Sequence, residues 1–168
     1  MPDYIYPWQI DYTETSSGSG VILEENRIIT AAHVIDNSLS IYVRKTGSDK
    51  RYKAKIEYIS DASDLAIISV DNDEFFNDTK PLLLGQASKL GDVVTTWGFP
   101  IGGSQLTITK GIISRIDYDK YSHSGFYNLV GQIDAAINSG ASGGPAIVNG
   151  KLAGITFQAD DSEGASNI

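Results

Sequence analysis

Apolar and polar positions alternate along much of this chain, most clearly over residues 51–60, where Tyr52, Ala54, Ile56 and Tyr58 interleave with Lys53, Lys55 and Glu57. A period of two puts the sets on opposite faces of an extended strand, one packed and one wet. Val21-Ile22-Leu23 and Arg27-Ile28-Ile29-Thr30 flank the turn residues Glu24-Glu25-Asn26 and predict a hairpin. Residues 39–45 predict a further strand, and the β-branched run Leu65-Ala66-Ile67-Ile68-Ser69-Val70 a buried one. The acidic stretch 71–78 predicts a loop or a single helical turn, and Pro81-Leu82-Leu83-Leu84-Gly85 closes this first set. From Leu90 the pattern restarts, with strands predicted over 92–98, 106–116, 131–137, 146–148 and 152–158, each bounded by Gly, Pro, Asn or Asp. No helical period lasts beyond about two turns. Many short strands in two similar sets predict an all-β chain of two antiparallel β-barrels. The expected division is an arm over about residues 1–15, a first barrel over about 16–85 and a second over about 86–168. Ser16-Ser17-Gly18-Ser19-Gly20 reads as a flexible lead into the first strand.

Composition narrows the function. The chain has 168 residues, one domain's worth, enough to bury about two thirds of its unfolded surface. It has no cysteine, so disulfide staples and thiolate zinc sites are excluded. A formal net charge of -8 argues against binding to a phosphate backbone, and nucleic acid is not an expected partner. No apolar stretch reaches the length of a membrane span, and the first residues lack the basic and apolar regions of a signal peptide. The compartment stays open between the cytosol and an export route whose signal has been removed.

The candidate chemistry centres on Asn138-Ser139-Gly140-Ala141-Ser142-Gly143-Gly144-Pro145, a glycine-rich loop between two apolar runs. Such a loop presents a side chain and bare N–H groups together, so Ser142 is a candidate nucleophile and the N–H groups of Gly140 and Ser142 are candidate oxyanion donors. It is equally the composition of an ordinary turn. Of the two histidines, His33 follows the strand ending Thr30-Ala31-Ala32, and His123 lies in a loop-like setting. Asp64 sits at the mouth of the buried strand that starts at Leu65, with Asp61 competing three residues earlier. Taken together, His33, Asp64 and Ser142 supply a base, a carboxylate to orient it and a nucleophile, with the first two in one half and the serine in the other. A cleft between two barrels would unite them.

Thr30-Ala31-Ala32-His33-Val34, Asp64-Leu65-Ala66, Gly98-Phe99-Pro100-Ile101-Gly102 and Gln132-Ile133-Asp134-Ala135-Ala136-Ile137-Asn138-Ser139-Gly140 before Ser142-Gly143-Gly144-Pro145 occur in one order. In these motifs the chain resembles the protease domain of the HtrA/Deg family of chymotrypsin-like serine proteases, over roughly residues 16–168. The resemblance implies an ATP-independent serine endopeptidase acting on unfolded or damaged polypeptide, with no metal or organic cofactor. It implies His33 as general base and acid, Asp64 as its orienting partner, Ser142 as nucleophile, and Gly140, Ala141 and Ser142 as the oxyanion loop. It also implies a substrate pocket walled by Ala136, Ile137, Asn138, Thr156 and Phe157, with Ala136 at its floor and a preference for small or medium aliphatic residues. A homotrimer built through Tyr4, Tyr6 and Trp8 is a further implication, although these aromatics equally suit a cover over the first barrel. By the same resemblance a cell-envelope location is expected if an export signal was removed.

Three departures qualify the match. Ala141 stands where the family usually has Asn, which removes a side-chain hydrogen bond that can brace the loop. The Ile-Val-Gly-Gly start of trypsin zymogens is missing, which fits switching by loop ordering, so residues 100–105, 138–141 and 158–165 are expected to be mobile without substrate. Family members also continue past Ile168 with a strand, a helix and usually a PDZ domain, so a core truncated at its C-terminal end is expected. Ala141 and that end also support an alternative reading, a protease-like scaffold that binds peptides and cuts them weakly.

Overall fold

The computed structural model describes residues 15–99, 105–121, 125–137 and 140–157 and, for the backbone alone, 159–160 and 166–167. Tyr4, Tyr6, Trp8, Asn138, His123 and most of the loops expected to be mobile lie outside the described residues. The described residues form two curled antiparallel sheets, and the all-β architecture is borne out. The first sheet has the order β1-β2-β5-β4-β3, from β1 (Val21–Leu23), β2 (Arg27–Ala31), β3 (Ile41–Val43), β4 (Tyr52–Ser60) and β5 (Leu65–Val70). The second has the order β10-β9-β6-β7-β8-β12-β11. Its members are β6 (Val93–Gly98), β7 (Thr107–Lys120), β8 (Tyr127–Ile133), β9 (Pro145–Val148), β10 (Lys151–Ile155), β11 (Ala159–Asp160) and β12 (Ser166–Asn167).

The first sheet curls around Ile28, Ala54, Ala66, Ile68, Val70 and Phe75, with the Tyr52 ring set edge-on to Phe75 at 5.2 Å. Phe75 arrives from the acidic stretch, where Asp73–Phe76 forms one 3₁₀ turn capped by Asn72, whose side chain accepts from Glu74 N at 2.9 Å. In β4 the alternation buries Tyr52 and Ala54 but not Ile56 or Tyr58, and a bulge between Ile56 and Tyr58 shifts the pairing with β5 from there on. The second core is smaller, built on Val94, Ile113, Ile133 and Ala135. The link between the sheets is bonded to both: Leu82 N donates to Ile22 O at 2.9 Å and Gly85 N to Leu152 O at 2.8 Å.

Several bounds differ from expectation. β3 is confined to Ile41–Val43. β7 and β8 form one long ribbon, with β7 running to Lys120 and β8 beginning at Tyr127 instead of Gly131. Most of the ribbon's outer half is exposed on both faces, so it has no apolar period to read. One helical turn, α1 (Ala32–Ile35), follows β2 and carries His33.

Candidate active site

The site is assembled where the two sheets meet. β2 ends at Ala31 and α1 turns the chain so that His33 projects from a short, tightly anchored segment: Ala32 N donates to Asp64 O at 3.0 Å. Asp64 closes the β4–β5 turn with φ +52, a left-handed conformation that Asp tolerates better than most residues. From there its buried carboxylate reaches His33 twice. Asp64 Oδ1 accepts the His33 backbone N–H at 2.8 Å, and Asp64 Oδ2 lies 2.7 Å from His33 Nδ1. Asp61 competes with Asp64 only in sequence; it contributes a turn carbonyl, accepting from Asp64 N at 3.3 Å.

The ionised carboxylate makes His33 Nδ1 the donor, which leaves Nε2 as the ring's basic nitrogen. Burial pushes the Asp64 carboxyl up, but hydrogen bonds from the His33 ring, the Tyr121 hydroxyl and the His33 N–H outweigh it and hold Asp64 below the ordinary carboxylate range.

Ser142 belongs to the loop that enters β9. Gly140 has φ +95 and Gly143 φ +85, conformations open to glycine and strained for other residues. A Cβ on Gly143 would collide with Ser19 O and Thr30 Oγ1, and one on Gly144 with Trp97 O, so the loop is pressed against β2 and β6. Several bonds hold it there. Ser19 N donates to Ser142 O at 2.8 Å, Ser19 Oγ to Gly140 O at 3.0 Å, Gly143 N to Thr156 O at 2.8 Å and Thr156 Oγ1 to Ala141 O at 2.7 Å. Gly144 N donates to Ala141 O at 2.8 Å. None of the hydrogen bonds among the described residues uses the N–H of Gly140 or Ser142.

The segments that carry Ser142 and His33 approach each other at Gly18. A Cβ on Gly18 would lie 2.5 Å from Val34, next to His33, and 3.0 Å from Ser142 O. On the other side, Ser142 Oγ donates to Phe157 O at 3.5 Å, the Phe157 ring meets the Tyr121 ring edge-on at 5.1 Å, and Tyr121 bonds Asp64. Of the pocket residues, Ala136 is exposed and its carbonyl accepts from Thr109 Oγ1 at 2.8 Å. Ile137 packs on the second core, and the Thr156 hydroxyl turns into the serine loop.

Two residues of this site escaped the sequence reading. Ser19, read as part of a flexible lead, is buried; its hydroxyl donates to Gly140 O and accepts Phe99 N at 2.9 Å. Tyr121 is buried at the end of β7 and reaches Asp64 across 57 positions of sequence. No local pattern marks either, although serine and tyrosine are apt donors wherever a buried acceptor needs one.

Two curled antiparallel sheets, a histidine locked to a buried aspartate between them and a glycine-tight serine loop define the chymotrypsin-like peptidase domain. Comparison with known proteins agrees: residues 18–155 match the trypsin-like peptidase domain family. The chain is 45% identical to protease Do-like 4, mitochondrial, of Arabidopsis thaliana over its whole length, and 46% identical to a serine protease DegP homolog of Plasmodium falciparum over 90% of its length. It spans 32% and 17% of those two proteins. Among solved structures, the HtrA-type protease AlgW with decapeptide matches 89% of this chain, with 45% of its own length covered, at a TM-score of 0.76 and 30% identity. The chain thus belongs to the trypsin-like peptidase domain family, and within it to the Deg/Do-like proteases.

Proposed function

We propose that this chain is the catalytic domain of an ATP-independent serine endopeptidase that cuts unfolded or damaged polypeptide. The observation that carries the reading is the 2.7 Å contact between His33 Nδ1 and the buried Asp64 Oδ2. In this reading Ser142 Oγ attacks the scissile carbonyl carbon while His33 Nε2 accepts the hydroxyl proton. The oxyanion forms beside the N–H groups of Gly140 and Ser142. Collapse breaks the C–N bond, the amine leaves with the proton from His33, and the acyl group stays on Ser142. Water then gives a proton to His33 and attacks the acyl carbon; the ester C–O bond breaks, the acid product leaves, and His33 returns the proton to Ser142 Oγ. The uncharged position Ala136 suits small or medium aliphatic side chains before the cut, and a cleft that takes an extended backbone favours unfolded chains.

Assembly as a homotrimer belongs to the same reading, and sedimentation of the parent against a chain lacking the arm with Tyr4, Tyr6 and Trp8 tests it. The mitochondrial location in the name of the Arabidopsis relative supports an organellar or envelope compartment here. Among the described residues, no helix is long and apolar enough to cross a membrane.

One observation favours a second reading, a peptide-binding scaffold that cuts weakly: Ser142 Oγ is turned to the Phe157 carbonyl, 3.5 Å away. Labelling by a fluorophosphonate, beside Ser142→Ala, separates the two. Labelling that requires Ser142 supports the endopeptidase; an unlabelled parent favours the scaffold.

A further inference from the structure

Asp64 Oδ2 is the acceptor of two donors from opposite sheets. One is His33 Nδ1 from α1, at 2.7 Å; the other is Tyr121 Oη from the end of β7, also at 2.7 Å, with Tyr121 Oη 3.2 Å from His33 Nδ1. The phenol has one proton and gives it to the carboxylate, so the close approach to Nδ1 is compatible only with a ring nitrogen that keeps its own proton. Tyr121 itself is anchored. Its ring is 4% exposed and edge-on to Phe157, its N–H donates to Phe126 O at 2.9 Å, and its carbonyl accepts from Gly125 N at 2.7 Å. The same ribbon makes a second bond to the β4–β5 turn, from Asn128 Nδ2 to Ala62 O at 2.8 Å.

We propose that Tyr121 is a positioning residue of the site: its hydroxyl fixes Asp64, and through Asp64 the ring of His33, so that correct seating of the base depends on the β7–β8 ribbon being docked on the first sheet. The inference rests on the endopeptidase reading for its kinetic consequence, and its geometric content stands apart from it. Two physical effects follow from one bond. The carboxylate loses freedom to rotate away from His33. Its negative charge is also shared with a second donor, so the proton between Asp64 and His33 stays on Nδ1. Burial, and then the bond to Asp64 and its charge, raise the phenol above its ordinary value, so Tyr121 remains a donor across the working pH range. Among the described residues, the titratable groups facing the Asp64 carboxylate are His33 from α1 and Tyr121 just after β7.

Tyr121→Phe keeps the ring and its contact with Phe157 and removes only the hydroxyl. Two measurements are made on parent and variant: steady-state cleavage of a peptide with fluorophosphonate labelling of Ser142, and proton NMR of the Nδ1–H of His33, assigned with ease in a chain of two histidines. The expected results are a kcat lower by about tenfold with KM within about twofold, as befits loss of one hydrogen bond to a charged group. Labelling should slow in parallel, and the His33 Nδ1–H resonance should move by more than about half a part per million. An unmoved resonance overturns the proposal, as does unchanged kcat with unchanged labelling. A parent that is neither labelled nor active while the resonance moves overturns the endopeptidase reading and leaves Tyr121 as the residue that positions Asp64. If Tyr121→Phe does not fold, Asn128→Ala decides: loosening the ribbon's second bond should shift the same resonance in the same direction, and no shift overturns the proposal.

Discussion

Ser19 and Gly140 are joined across the two sheets: the buried Ser19 hydroxyl donates to Gly140 O at 3.0 Å, 121 positions away, and accepts Phe99 N at 2.9 Å. The Ser142 loop is therefore seated from the segment that leads into β1, and not only by its own glycines. Ser19→Ala leaves the Phe99 N–H and the Gly140 carbonyl without that partner in a buried place. Stability should fall by about 1–3 kcal/mol, read as a lower urea midpoint, and labelling of Ser142 should slow several-fold. An unchanged labelling rate would mean that the Ser19 N–H to Ser142 O bond alone seats the loop.

Gly143 is where the loop has least room. With φ +85, and with Ser19 O and Thr30 Oγ1 filling the place of a side chain, any Cβ forces the loop off β2. Thr30 is no bystander, since its hydroxyl donates to Ser19 O at 2.7 Å and stiffens that wall. Gly143→Ala should cost about 2–4 kcal/mol, combining backbone strain with displacement. Calorimetry should show it, and Ser142 should no longer be labelled even in the folded fraction. Gly150→Ala is the control: it too has positive φ, but nothing lies within 4 Å, so it should cost only about 1 kcal/mol.

The contrast between these residues shows what was legible in the sequence. Where a strand buries one face, as in the first half of β4, alternation announces it. His33, Asp64 and Ser142 were legible because each stands beside a strand end with a chemically distinctive neighbourhood, and their motifs recur in order. Ser19 and Tyr121 were not, because their partners lie 121 and 57 positions away and a Gly/Ser run reads locally as flexible. The β7–β8 ribbon stayed half hidden because Arg115, Asp117 and Asp119 are exposed on it and the outer half of β7 has no buried face to mark its length. In the same way, the hydroxyl of Thr156 turns inward to add a second donor to the Ala141 carbonyl of the serine loop, a long-range contact that no period records.

The Asp64 carboxyl gives a pH prediction. Burial pushes it up, and the donors from His33 and Tyr121 pull it below the ordinary range by more. A group depressed in the folded state adds stability that is fully present above the unfolded value of about 3.9 and is lost as pH falls through the folded value. Removing the Tyr121 hydroxyl reduces the depression. Tyr121→Phe should therefore be less stable than the parent at pH 7, by about 1.5–3 kcal/mol, and the gap should narrow as pH is taken below about 4. Urea unfolding at pH 7, 5, 4 and 3 measures it. A gap that stays constant over this range would show that the hydroxyl acts through packing and not through the charge of Asp64.

Ala141 is the residue that most sets this loop apart from the expected motif, and its surroundings predict that the missing side chain is already compensated. The Ala141 carbonyl accepts from both Thr156 Oγ1, at 2.7 Å, and Gly144 N, at 2.8 Å, while the residue is packed closely on Gly98, where an added Cβ would lie 2.8 Å from Ala141 Cβ. With the backbone so braced, Ala141→Asn should change kcat by less than about twofold. Thr156→Val removes the stronger brace while keeping the shape. It should cost about 1 kcal/mol and lower kcat several-fold. The double variant then separates the causes: Asn at 141 should recover part of the loss caused by Val at 156, because it restores a donor to a loop that has lost one. A several-fold gain from Ala141→Asn in the parent would instead mean that the Thr156 bond is not sufficient and that the loop relaxes between conformations before it captures a substrate.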